Sequence, residues 1–109
     1  MAITRPNILT NPTARQQYAR GVNLLKNEFT GPPTTSLGIS GPSRPVSTYD
    51  LFVVGHHTAM STMTPPTQAD RNAAHRGPVF CPWHRFMLRQ LELNLQRILN
   101  DNTFGLPYW

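Results

Sequence analysis

A single cysteine, Cys81, cannot close an internal disulfide, so nothing in the chain marks an oxidising compartment and nothing excludes one. Acidic side chains are scarce as well: five stand against ten basic ones, a net charge of +5. Nine of the ten cations are arginines, scattered from Arg5 to Arg97 and not gathered on one face. That spread argues against a nucleic-acid surface and leaves room for an anionic partner segment. No apolar run approaches the ~20 residues of a membrane span, and Met1 to Pro6 has no hydrophobic stretch of the signal-peptide kind. The expectation is therefore no membrane partner and no leader in this chain, with the compartment left open. Strand alternation and internal repeats are missing too, which makes the fold class all-α.

Proline is plentiful. Eleven prolines and seven glycines break the 109 residues repeatedly, which predicts one small unit with long loops. The first periodic stretch covers residues 11–29, where Tyr18, Val22, Leu25 and Phe29 recur at helical steps. Asn11 is its expected N-cap, with Pro12 at the first helical position, where a missing amide hydrogen costs nothing. Residues 30–46 consist of turn formers and predict a loop. A second helix is expected over 47–60, capped by Ser47, with Asp50 reaching back to complete a capping box. Tyr49, Phe52, His56 and Met60 share its apolar face, and His57 is rotated from His56 by about 100°. Residues 61–81 predict another loop, and 82–100 a third helix, with Pro82 in its first turn and a buried stripe of Leu88, Leu91, Leu95 and Ile98. His84 opens that stripe, four residues before Leu88.

Two histidines therefore lie on the inward stripes of two helices, and a third, His75, stands nine residues before His84 in a segment shaped by glycine and proline. A lone histidine on an apolar face is usually a hydrogen-bonded core residue. Three imidazoles buried together without a common partner would leave several polar nitrogens unsatisfied. One metal ion satisfies all three through their neutral lone pairs. This donor set leaves zinc as well placed as copper.

The stretches YDLFVVGH at Tyr49 to His56, AHRGPVFCPWHRFMLRQLE at Ala74 to Glu92 and FGLPYW at Phe104 to Trp109 resemble the central domain of the tyrosinase family of type-3 dicopper proteins. The resemblance implies that His56, His75 and His84 bind one copper, with Phe80 packed against them and His57 and Cys81 close by. Cys81 is expected as a small buried hydrophobe in preference to a soft sulfur near the metal. Ala73 occupies the place where some relatives carry a cysteine joined to the second ligand by a thioether, so no such cross-link is expected.

The resemblance further implies the N-terminal half of a four-helix-bundle dicopper domain. A complete site holds two coppers, takes dioxygen as co-substrate, and oxidises monophenols, o-diphenols or o-aminophenols to quinone-type products. This chain has four histidines where six ligands are required, and it ends on Tyr108 and Trp109. A second polypeptide or C-terminal fragment is therefore the expected source of the other three ligands. A small phenol is the expected substrate, and the reading leaves room for a copper-delivery partner. Haemocyanin-like reversible oxygen binding and a mononuclear three-histidine site are the alternatives.

Overall fold

The computed structural model describes residues 2–62, 72, 74, 75 and 77–109. It is all-α among these residues: α1 spans Pro12–Lys26, α2 Thr48–Ser61 and α3 Phe80–Leu99, with a single 3₁₀ turn at Thr34–Leu37 between the first two.

Helix α1 starts where the sequence places its cap. The Asn11 carboxamide oxygen accepts the Ala14 amide at 3.0 Å, and Pro12 follows directly. It ends three residues before the expected Phe29. Asn27 supplies the reason: its side-chain nitrogen donates to the Asn23 carbonyl at 2.8 Å, drawing the last turn onto a local side-chain bond. Phe29 is consequently outside the helix and exposed. The inner face of α1 meets α3, and Leu25 and Leu95 are fully buried with Phe104 beside them. Tyr18, Val22, Leu91, Ile98 and Leu106 pack around that centre. Gly21 sets how close the two helices come, since a Cβ there would stand 2.7 Å from a Leu95 methyl.

The expected loop over 30–46 is closed at its base. The Gly31 amide donates to the Val46 carbonyl at 2.9 Å, and the Val46 amide to the Pro32 carbonyl at 3.1 Å. Inside it, Thr34 is buried and gathers the Pro42 and Arg44 backbone around its own amide and hydroxyl.

Ser47 caps α2 by accepting the Asp50 amide at 3.1 Å. The reciprocal half of the expected capping box is replaced, because the Asp50 carboxylate meets Lys26 at 3.4 Å. A stronger junction lies next to it. Glu28 accepts the Thr48 amide on its carbonyl and the Thr48 hydroxyl on its carboxylate, and that carboxylate takes both terminal nitrogens of Arg97 at 2.6 and 2.8 Å. The end of α1, the start of α2 and the last turn of α3 thus share one side chain. Beyond this junction α2 buries none of its residues; Leu51, Val53 and Met60 are exposed.

Helix α3 begins two residues before the expected Pro82. Proline at its third position is tolerated for the same reason as at its first: first-turn amides have no intrahelical acceptor. Asn100, in the left-handed region at φ 51°, ends it. Of the expected stripe, Leu91, Leu95 and Ile98 join the core, whereas Leu88 is 43% exposed and lines an open cleft with Ile8, Tyr18 and Tyr108. Most of the expected loop over 61–81, including Ala73, lies outside the described residues.

The two end segments pair side by side: the Ile8 amide donates to Tyr108 at 2.6 Å and the Tyr108 amide to Pro6 at 3.0 Å. Gly105 permits this, since a Cβ there would collide with the Thr4 carbonyl oxygen at 2.1 Å. Both segments are fastened to α3 through Glu92. Its buried carboxylate accepts Arg5 twice at 2.9 Å, Arg89 at 2.6 Å and the Leu106 amide at 2.9 Å. Burial pushes the Glu92 carboxyl up. The bonds from Arg5, Leu106 and Arg89 and the Arg5 charge outweigh that and hold it at about 2. The Arg97 and Thr48 bonds likewise lower Glu28 to about 2.

Both acids are more acidic folded than unfolded, so their contribution is present above the ordinary value of 4.5 and is lost as pH falls towards 2. Denaturant midpoints measured across that window should drop steeply. Glu92→Gln should be less stable at neutral pH and show a shallower acid decline; an unchanged slope would contradict this role for Glu92.

Candidate metal centre

His56 is carried by the third turn of α2, His84 by the second turn of α3, and His75 by the short segment that precedes α3. The fold brings the three together. Ring centroids are 5.2 Å apart for His56 and His75, 5.5 Å for His56 and His84, and 5.1 Å for His75 and His84. One nitrogen from each lies within 4.8 Å of the other two, and all three rings are half-buried. Small ring rotations would bring such a set to the bond length of about 2 Å that a first-row ion takes with imidazole.

Two of the three rings have a partner at Nδ1. His84 Nδ1 lies 2.7 Å from the Phe80 carbonyl, which can only accept, so that nitrogen carries the hydrogen and Nε2 keeps its lone pair. His75 Nδ1 lies 3.2 Å from the Asn72 side-chain oxygen. Partial burial pushes the His75 imidazole below its ordinary value, and the neighbouring His84 and His56 push it further the same way. Both effects favour the neutral form of His75, the form a ligand needs.

The Phe80 ring lies 4.4 Å from His84 and 5.8 Å from His75. Trp83 is a wall residue that sequence reasoning missed, 4.9 Å from His84 and 5.7 Å from His56. Its position beside a ligand in PWHR was the signal available. His57 is exposed, and its backbone carbonyl accepts the Ser61 hydroxyl; among the described residues it takes no part in the donor cluster. Cys81 corrects an expectation. It is exposed, not a buried hydrophobe, because the early start of α3 sets it in the first turn on an outward face. Nor does it join the three converging donors. Beside His56, a groove of about 420 Å³ runs between α2 and α3, walled by Leu51, Phe52, Gly55, Trp83 and Phe86.

The helical frame brings three imidazoles within reach of one another, with no carboxylate in the cluster among the described residues, a donor set that could hold a transition-metal ion. The sequence profile described as the common central domain of tyrosinase matches residues 46–109. The chicken 5,6-dihydroxyindole-2-carboxylic acid oxidase is 41% identical over 68 residues, covering 59% of this chain and 13% of that protein. A Pelodiscus sinensis tyrosinase is 37% identical over 75 residues, covering 66% and 28%. An Oryzias latipes tyrosinase is 32% identical over 119 residues, covering 96% and 22%. The chain belongs to the tyrosinase family. It spans between 13% and 28% of the length of these three relatives.

His56 and His57 are adjacent, yet only His56 reaches the cluster. His56→Ala should therefore remove the metal from this site, while His57→Ala should retain it; equal metal loss in both variants, read by elemental analysis, would refute the assignment. Acid should also release the metal. An imidazole must be neutral to bind a metal, so occupancy should fall with proton uptake as the solution is acidified. Retention unchanged at strongly acidic pH would exclude a three-histidine site.

Proposed function

We propose that this chain supplies one copper of a dicopper oxidase that converts phenolic substrates to quinones with dioxygen. The observation that carries the reading is the convergence of His56, His75 and His84 in a chain of a copper-dependent family. These three would hold the ion through neutral nitrogens, and copper supplies the electron transfer between phenol and oxygen. The protein's own part is geometric. Helices α2 and α3 aim His56 and His84, while Phe80 and Trp83 form apolar walls that restrict ring rotation and limit water around the donors.

The second copper needs three further ligands, which we assign to a second polypeptide or to further chain. Their supporting helices would cover the groove between α2 and α3. Its apolar walls support that reading: Phe86 is 67% exposed and Leu51 39%, next to His56, on a face rich in large side chains. The names of the relatives, tyrosinase and 5,6-dihydroxyindole-2-carboxylic acid oxidase, favour an oxidised aromatic substrate over reversible oxygen carriage. For an o-diphenol the balance is two catechols and one dioxygen giving two o-quinones and two waters.

The test is oxygen uptake together with quinone absorbance, using the copper-loaded full-length protein and catechol. Two coppers per complete site, turnover of catechol and its loss in His84→Ala are expected. Reversible oxygen binding without turnover would favour a carrier, and zinc at one ion per chain with no copper would favour a mononuclear site.

A further inference from the structure

Asn72 stands three residues before His75, and its side-chain oxygen gathers three nitrogens. It accepts the His75 amide at 2.7 Å and the Ala74 amide at 3.1 Å, and it lies 3.2 Å from Nδ1 of the His75 ring. Backbone amides only donate, so the atom on which two of them converge is the carbonyl oxygen of Asn72 and not its NH₂ group. That oxygen has no hydrogen to give. The ring nitrogen facing it must therefore bear one, which leaves Nε2 of His75 with the free lone pair.

We propose that Asn72 is a positioning residue for the metal centre: it locks the His75 ring in the Nδ1–H tautomer and so selects Nε2 as the ligand atom. The inference rests on the reading of His75 as a copper ligand. His75 has particular need of such a partner. His84 obtains the same tautomer from the Phe80 backbone carbonyl within α3, a support that no side-chain substitution removes. His75 lies outside any helix, in a bend, and its orientation is fixed by a side chain instead. The two amides held by the same oxygen fix where that oxygen sits relative to the ring, so backbone and imidazole are set by a single atom. An acceptor on the far nitrogen also makes the ligand nitrogen more basic, and losing such a partner typically weakens metal affinity about 10–100-fold.

The experiment has two readouts. Nitrogen chemical shifts of the His75 ring in the metal-free full-length protein report which nitrogen bears the hydrogen, and competition with a coloured Cu(I) chelator reports affinity. In the unmodified protein, and in Asn72→Asp, which keeps an oxygen acceptor at that place, His75 should be in the Nδ1–H form with tight copper. Asn72→Ala should populate the Nε2–H form and bind Cu(I) about 10–100-fold more weakly. An Nε2–H ring in the unmodified protein overturns the proposal, and that measurement does not depend on any variant folding. Affinity lost in Asn72→Ala with the tautomer unchanged also overturns it, since Asn72 would then serve the turn alone. Wild-type affinity in Asn72→Ala does the same. His75→Ala separates this idea from the one beneath it: full copper retention there removes His75 from the ligand set, whereas copper loss there with an Nε2–H ring in the parent protein refutes the role of Asn72 only.

Discussion

The buried carboxylate of Glu92 is the constraint on which the arrangement rests. An ionised acid inside a small helical protein is tolerable only when its oxygens are fully partnered, and here two arginines and a backbone amide do so. Those partners come from both end segments and from α3 itself. The demand for satisfied oxygens therefore decides where residues near Arg5 and Leu106 must lie. With these segments in place, Phe104 and Leu106 close the core around Leu25 and Leu95, and α3 becomes a fixed post. His84 stands on that post two turns before Glu92, so its position depends on an ion pair that lies outside the histidine cluster.

The other helices share this rigidity unequally. Helix α1 lies flat on α3 through Gly21 and the leucines, a broad apolar contact. Helix α2 is fastened at its beginning by polar interactions: the Ser47 cap, Thr48 with Glu28, and Lys26 with Asp50 and over the Tyr49 ring at 5.0 Å. Tyr49 also packs against the core, while Leu51, Val53 and Met60 are exposed and Leu51 and Phe52 line the groove. The buried packing lies mainly between α1 and α3, and the three histidines lie along the seam between α2 and α3.

Much of this was legible in the sequence where the signals are local. Asn11 and Ser47 announced their helices because capping is a contact over three residues, whereas the apolar stripes expected around His56 and His84 are only partly buried, with Met60 and Leu88 exposed. The misreadings were of competing local chemistry. Asn27 ends α1 before Phe29 through its own side chain, and Pro82 marks a first turn without saying which of its positions it occupies. That ambiguity moved Cys81 from an expected interior position to the surface. The long-range pairs were invisible: Arg5 with Glu92 and Glu28 with Arg97 are 87 and 69 residues apart, and no periodicity encodes them. One hint existed, a glutamate set among Leu88, Leu91 and Leu95, where a carboxylate must find cations or stay out. Asn72 and Trp83 were overlooked because attention went to the ligands and not to what holds them.

The polar fastening of α2 at its first turn makes the helix a lever. From Thr48 to His56 is eight residues, about 12 Å along a helix rising 1.5 Å per residue. A tilt of roughly 5° about that pivot swings the His56 ring by about 1 Å, comparable to the adjustment that separates the present ring spacing from a bonded one. A load on the exposed side of α2, at Val53 for instance, would be carried to the spacing of the three rings.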